Sequence, residues 1–182
     1  MFNKCLFTVI ALMLVSVTTS FGQFEMSAGK TDIGVRFGAV FLHTDKFNQY
    51  EKFNATSPAF GVNWETGIWN FGLSIGGEFN YAIYKNKEKT GDMTVLTGMV
   101  YAKYYPSFLV VSKLAPYARL DLLPIGVFKI NTPTQIESGA KSIIGIYAGA
   151  NYQFAEKFGV FLEVGTGYTL VNTGLTWRVG DN

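Results

Sequence analysis

The sequence carries few groups that could do chemistry. Its single histidine, His43, stands beside Asp45 in a polar stretch that also holds Glu51 and a serine. A histidine, a carboxylate and a serine can move protons or activate a hydroxyl when they lie within hydrogen-bond reach. Nothing in this spacing requires that reach, and histidines in polar loops are ordinarily solvated. No catalytic residue is assigned, and the chain is read as a non-enzyme. No cluster of histidine and carboxylates has metal-ligand spacing, so neither a metal nor another cofactor is expected. Gly165-Thr166-Gly167 lacks the third glycine and the following helix of a nucleotide loop.

A second group of charges is more regular. Arg36, Glu65, Glu78, Lys103, Arg119, Asp121, Glu163 and Arg178 are four positive and four negative side chains, each on the charged face of a segment whose other face is uncharged. Gathered inside a closed sheet they would form an ion-pair network, with bracing as its role and a proton or ion path as the alternative. The pairs expected from neighbouring segments are Arg36 with Glu65, Lys103 with Asp121, and Glu163 with Arg178.

The elements that must position these groups are strands. Period-two alternation rich in Val, Ile, Phe and Tyr, punctuated by Gly, Asn, Pro and charge clusters, predicts strands at about 33–42, 58–66, 70–84, 94–105, 116–129, 142–154, 158–168 and 173–180. The connections alternate in length. Residues 43–57, 85–92 and 131–141 read as long polar loops, and 66–69 and 155–157 as tight turns. The apolar stretch 106–115 does not fit a short turn, and the sequence offers no account of it.

One face of these segments holds Val35, Phe37, Val62, Phe79, Leu96, Leu162 and Leu175 and has no charge. The other holds the eight charges, several glycines and Tyr101, Tyr105, Tyr117 and Tyr147. Alternation alone leaves open which face is inside, and a soluble ligand-binding barrel has the same period. Three features favour lipid outside. Aromatic residues of the apolar face gather near the tight-turn ends, at Trp64, Phe71, Tyr104, Tyr152, Phe154 and Trp177, with Phe41, Phe60 and Tyr81 toward the other end, as interfacial belts require. The charges balance, as an interior network needs. Finally, charged residues make up 15% of the chain, against about 25% in a soluble domain. The expected fold is therefore all-β, an eight-stranded antiparallel transmembrane barrel. Eight strands leave an interior about filled by its own side chains, so a plug is favoured over a pore.

The N-terminus reads separately. Lys4, an apolar run over residues 6–17, and Ser20-Phe21-Gly22 before Gln23 make a cleavable signal peptide of residues 1–22. Residues 23–32 then form a short periplasmic segment, and 33–180 the barrel. Cys5, the only cysteine, falls inside the signal, which leaves no thiol or disulfide chemistry. The net charge of +2 gives no reason to expect nucleic acid.

The last strand carries Asn172-x-Gly174-x-x-Trp177-x-Val179, which resembles the C-terminal strand that bacterial outer-membrane proteins show their insertion machinery. Val179 stands where an aromatic is usual, and Gly180-Asp181-Asn182 follows where such chains stop. VYAKYYP (100–106) followed by KLAPYARLDL (113–122) resembles the central hairpin of the small porin-like outer-membrane β-barrel family common in the Bacteroidetes. The likeness covers roughly residues 24–180. It implies a bacterial outer-membrane location, with outer-membrane lipid and the insertion machinery as partners of a monomer. It carries no catalytic residues. The expected role is structural, adhesive or loop-mediated binding. The alternatives are a small channel, a lipid A-active enzyme using His43, or a soluble periplasmic binding barrel.

Overall fold

The computed structural model describes residues 28–39, 53–55, 58–86, 92–132, 135–142 and 144–179. Eleven strands follow in chain order: β1 (Thr31–Ala39), β2 (Phe53–Ala55), β3 (Ala59–Trp69), β4 (Leu73–Asn86), β5 (Asp92–Tyr104), β6 (Leu114–Asp121), β7 (Ile125–Thr132), β8 (Gln135–Lys141), β9 (Ile146–Gln153), β10 (Phe158–Thr166) and β11 (Val171–Val179). All pairings are antiparallel. β1 pairs with both β3 and β11, β4 with both β3 and β5, and the ladder continues through β6, β9 and β10 back to β11. The sheet is thus closed. Two of its eight staves are each built of two strands, β6 with β7 and β8 with β9.

Closure follows from the alternation. A wall strand with one apolar and one polar face satisfies its backbone only by pairing on both edges, and a ring removes the free edges. β1, for instance, pairs Val35 with Val62 on one side and with Leu175 on the other. Residues 73 to 83 of tilted β4 rise roughly 25 Å, the height of an apolar membrane band.

The break between β6 and β7 has a local cause. The backbone N–H groups of Leu122 and Leu123 both point to the Val100 carbonyl, at 2.8 and 3.3 Å. Two residues thus oppose one, which is a bulge. Pro124 follows and has no N–H to give the ladder. Leu122 and Leu123 are both exposed in consequence, and Ile125 and Val127 resume the outward phase.

Several boundaries differ from the sequence reading. The tight turn expected at 66–69 lies at residues 70–72, where Gly72 takes a positive φ of 88°; Gly67 is a strand residue paired with Ser74 beside a bulge. The expected polar loop 131–141 is mostly strand, because β7 and β8 form a hairpin from Gly126 and Lys141 to Thr132 and Gln135. The residues of this hairpin beyond Lys129 carry no apolar stripe, so the pattern did not announce them. Within the expected loop 43–57, β2 pairs with Tyr84, Lys85 and Asn86. The stretch 106–115 is a folded turn: a 3-10 segment at Ser107–Leu109, then a two-way backbone bridge between Val111 and Leu114. β1 begins at Thr31, two residues before the expected start, which brings Asp32 into the wall. The proposed signal peptide, His43, Asp45, Phe41, Glu51 and residues 180–182 lie outside the described residues.

Candidate functional site: the barrel interior

The eight charged positions all point inward and are buried: Arg36, Glu65, Glu78, Lys103, Arg119, Asp121, Glu163 and Arg178. Asp32 joins them. It lies on the same parity as Gly34 and Arg36, one residue before the strand start expected from the sequence. Among the described residues the interior thus holds five carboxylates and four cations.

Glu163, 1% exposed, is the hub. Its Oε1 accepts from Arg36 Nη2 at 2.5 Å, Arg119 Nη1 at 2.9 Å and Asn172 Nδ2 at 3.1 Å, and its Oε2 accepts from Tyr117 at 2.9 Å. Glu78 faces the same two guanidinium groups: Oε2 pairs with Arg36 and lies 2.7 Å from Arg119 Nη1, while Oε1 accepts from Asn80 at 2.8 Å. Arg119 also donates from Nε to Asp121 at 2.9 Å and stacks between Tyr101 and Tyr147, at 4.2 and 4.9 Å from their centroids. A second cluster sits toward the tight-turn end. Glu65 takes Lys103 at 2.7 Å, Ser74 at 2.6 Å and the Tyr105 hydroxyl at 2.7 Å. Beside it Arg178 and Asp32 pair at 2.9 and 3.2 Å. Val110 of the β5–β6 turn packs on Tyr105, Ala115 and Tyr117.

The expected pairs of Arg36 with Glu65, Lys103 with Asp121 and Glu163 with Arg178 are therefore replaced by others, for a geometric reason. Most ion pairs here skip a strand. Arg36 on β1 reaches Glu78 on β4 and Glu163 on β10; Lys103 on β5 reaches Glu65 on β3; Arg119 on β6 reaches β4 and β10. In a narrow closed barrel a long side chain extends across the lumen instead of lying beside its ladder partner. Glycines clear the path. Arg36 has Gly61 on one side and Gly174 on the other, Glu65 faces Gly76, and Glu163 faces Gly149. A Cβ at Gly174 would stand 2.6 Å from the Phe161 ring, and one at Gly149 2.7 Å from the Tyr117 ring. Like charges also meet directly across the ladder, Asp32 opposite Glu65 and Lys103 opposite Arg119. Such neighbours repel, and the partners across the lumen offset that repulsion.

Toward the long-loop end a half-open recess is lined by Asn80, Ala82, Tyr84, Thr97, Tyr168 and Thr169 among others. The Tyr84 hydroxyl there is buried without a hydrogen-bond partner. Tyr84 and Tyr168 were not singled out from the sequence, since strand parity marks them as inward but not as lining a space. No group of three or more His, Cys, Asp or Glu among the described residues is arranged to hold a metal ion.

The outer surface is the converse. Trp64, Phe71, Tyr104, Tyr152, Phe154 and Trp177 are all exposed, and Trp69 and Phe158 accompany them. Near the tight-turn end the rings stack: Trp69 on Phe71 at 5.2 Å, Phe154 on Phe158 at 6.5 Å, Phe158 on Trp177 at 6.3 Å. In the closing strand Trp177 and Val179 face out, while Asn172 and Gly174 face in. On β4 and β5 the outward charges are Lys85 and Asp92, cross-strand partners at the loop end, above the apolar band.

A filled interior predicts an electrical result. In a planar bilayer the folded protein is expected to give no steady ion conductance, and a reproducible single-channel step would show that the clusters leave a path.

No protein-family model and no curated protein matches the chain. Solved structures match its fold. Ail, the attachment invasion locus protein of Yersinia pestis, is 16% identical with a TM-score of 0.51, over 84% of this chain and 99% of that one. Neisserial surface protein A is 12% identical with a TM-score of 0.50, over 82% and 95%. The outer-membrane protein OprG of Pseudomonas aeruginosa is 12% identical with a TM-score of 0.50, over 86% and 99%. The chain has the fold of these small barrels: all-β, closed, eight-stranded and antiparallel, of the transmembrane kind.

Proposed function

We propose that the protein resides in the bacterial outer membrane as a closed barrel, and that it works through its loop end in an adhesive, binding or structural role. The observation that carries this reading is the pairing of an apolar exterior with an interior spanned by Arg36, Glu78, Arg119 and Glu163. A charge facing mid-bilayer lipid costs about 2–4 kcal/mol if basic, so a wall with these two faces suits lipid outside. A lumen crossed by salt bridges suits an anchor more than a conduit. The interior charges serve here as bracing, the aromatic rings as an interfacial belt, and Asn172, Gly174, Trp177 and Val179 as the strand presented to the insertion machinery. The protein acts as a monomer and without catalysis. Attachment is named for the Yersinia protein; for this chain it is part of the proposal. Membership of the porin-like barrels of the Bacteroidetes is a further part of the proposal, supported by the likeness of the VYAKYYP and KLAPYARLDL segments to that family's central hairpin.

Heat-modifiable gel mobility combined with membrane fractionation tests the location. The unheated, detergent-solubilised protein is expected to migrate as a compact species that shifts on boiling, and to be recovered with outer membranes. A soluble pool that needs no detergent would overturn the proposal.

A further inference from the structure

We infer that the turn between β5 and β6 is a lipid anchor, inserted into the phospholipid leaflet at the tight-turn end of the barrel. This rests on the membrane reading proposed above. Residues 106–112 (PSFLVVS) carry no charge. Phe108 is 81% exposed, and Leu109 and Val111 are exposed as well.

The exposure belongs to a well-built turn. Leu109 N–H bonds the Pro106 carbonyl at 2.9 Å, Val111 and Leu114 exchange two backbone bonds at 2.9 and 2.8 Å, and Val110 packs inward on the Tyr105, Ala115 and Tyr117 cluster. The backbone is thus committed to holding one apolar side chain in and its neighbours out. In water that arrangement only exposes apolar surface, whereas beside a bilayer it continues the barrel's own lipid contact. The turn adjoins that contact directly. Leu114 is the ladder partner of Tyr152, and Gln153 N–H bonds the Lys113 carbonyl at 2.8 Å. Tyr152 and Tyr104 are both outward rings at this end. Lys113 closes the apolar run, where a long basic side chain can keep its stem along lipid and its head at the phosphates. The other turns at this end differ: residues 70–72 are three residues long, and residues 154–157 carry Glu156 and Lys157.

The test uses a spin label, since Cys5 is the only cysteine. In a Cys5→Ser full chain, Phe108→Cys, Leu162→Cys and Glu156→Cys are labelled singly. Each is reconstituted in phosphatidylethanolamine–phosphatidylglycerol vesicles, with heat-modifiability as the check that it has folded. Collision rates with oxygen and with a water-soluble nickel chelate are then compared. The label at 108 is expected to favour oxygen severalfold over the label at 156, as the label at 162 does. If 162 is lipidic but 108 matches 156, the anchor is overturned and the membrane reading stands. If 108 is shielded from both reagents, protein covers the turn, and the anchor is likewise overturned. If 162 itself behaves as water-exposed, the membrane reading fails and takes this inference with it.

Discussion

Replacing Glu163 with leucine is expected to lower the unfolding free energy of the barrel by about 3–5 kcal/mol, the range for removing one partner of a buried ion pair. The size of the effect comes from what is left behind. Glu163 accepts from Arg36, Arg119, Asn172 and Tyr117. Without it two guanidinium groups share Glu78 and Asp121, and a buried hydroxyl and a buried amide lose an acceptor. A buried group left unsatisfied is costly, which puts the expected loss in the upper half of that range. Denaturant titration of the vesicle-inserted protein, followed by tryptophan fluorescence, measures the change. The pairing itself is tested by a double variant. Arg119→Leu with Glu163→Leu is expected to cost clearly less than the two single changes added together, since each removes the charge that the other leaves unpaired. Simple additivity would mean that the two side chains do not interact. Glu156→Leu, in an exposed turn, serves as the comparison and should stay within about 0.5 kcal/mol of the parent.

The second large effect lies on the other face. Leu162 is 55% exposed in the middle of β10, with Val160 and Val164 outward on either side. Leu162→Arg is expected to cost about 2–4 kcal/mol in a bilayer and to reduce the fraction that reaches the heat-modifiable form. The same change on a water-facing surface would be nearly neutral and would aid solubility. The sign of the result therefore separates a membrane barrel from a soluble one with similar alternation. An inward residue one position away, Glu163, is sensitive to loss of its charge, and Leu162 to gain of one. Two adjacent residues of one strand thus respond in opposite ways because the strand has two solvents.

The sequence made the staves and their faces legible, and the reason is physical. A wall strand between lipid and a filled lumen alternates strictly, so Val35, Phe37, Leu162 and Leu175 declare one face, and Arg36, Glu163 and Arg178 the other. Ion-pair partners were not legible, because they depend on register and on which neighbours are glycine. Arg36 reaches over Gly61 and Gly174, a fact visible only once β3 and β11 are aligned beside β1. Asp32 escaped because a strand end is weakly marked, although its parity was right. The β7–β8 hairpin escaped because its residues beyond Lys129 carry no apolar stripe. The turn after β5 was conspicuous for its apolar content, but nothing in a linear pattern could show Val110 facing in and Phe108 facing out. The bulge at Leu122 and Leu123 could be anticipated only from Pro124, which ends a ladder without saying how.

The central claim is the orientation of the wall: apolar side chains in lipid and charges within. Single-cysteine spin labels at residues 160 to 164 of β10, in phospholipid vesicles, test it most directly through their collision rates with oxygen. The account predicts a period of two, with high rates at 160, 162 and 164 and low rates at 161 and 163. The opposite phase, or no oscillation, would contradict it.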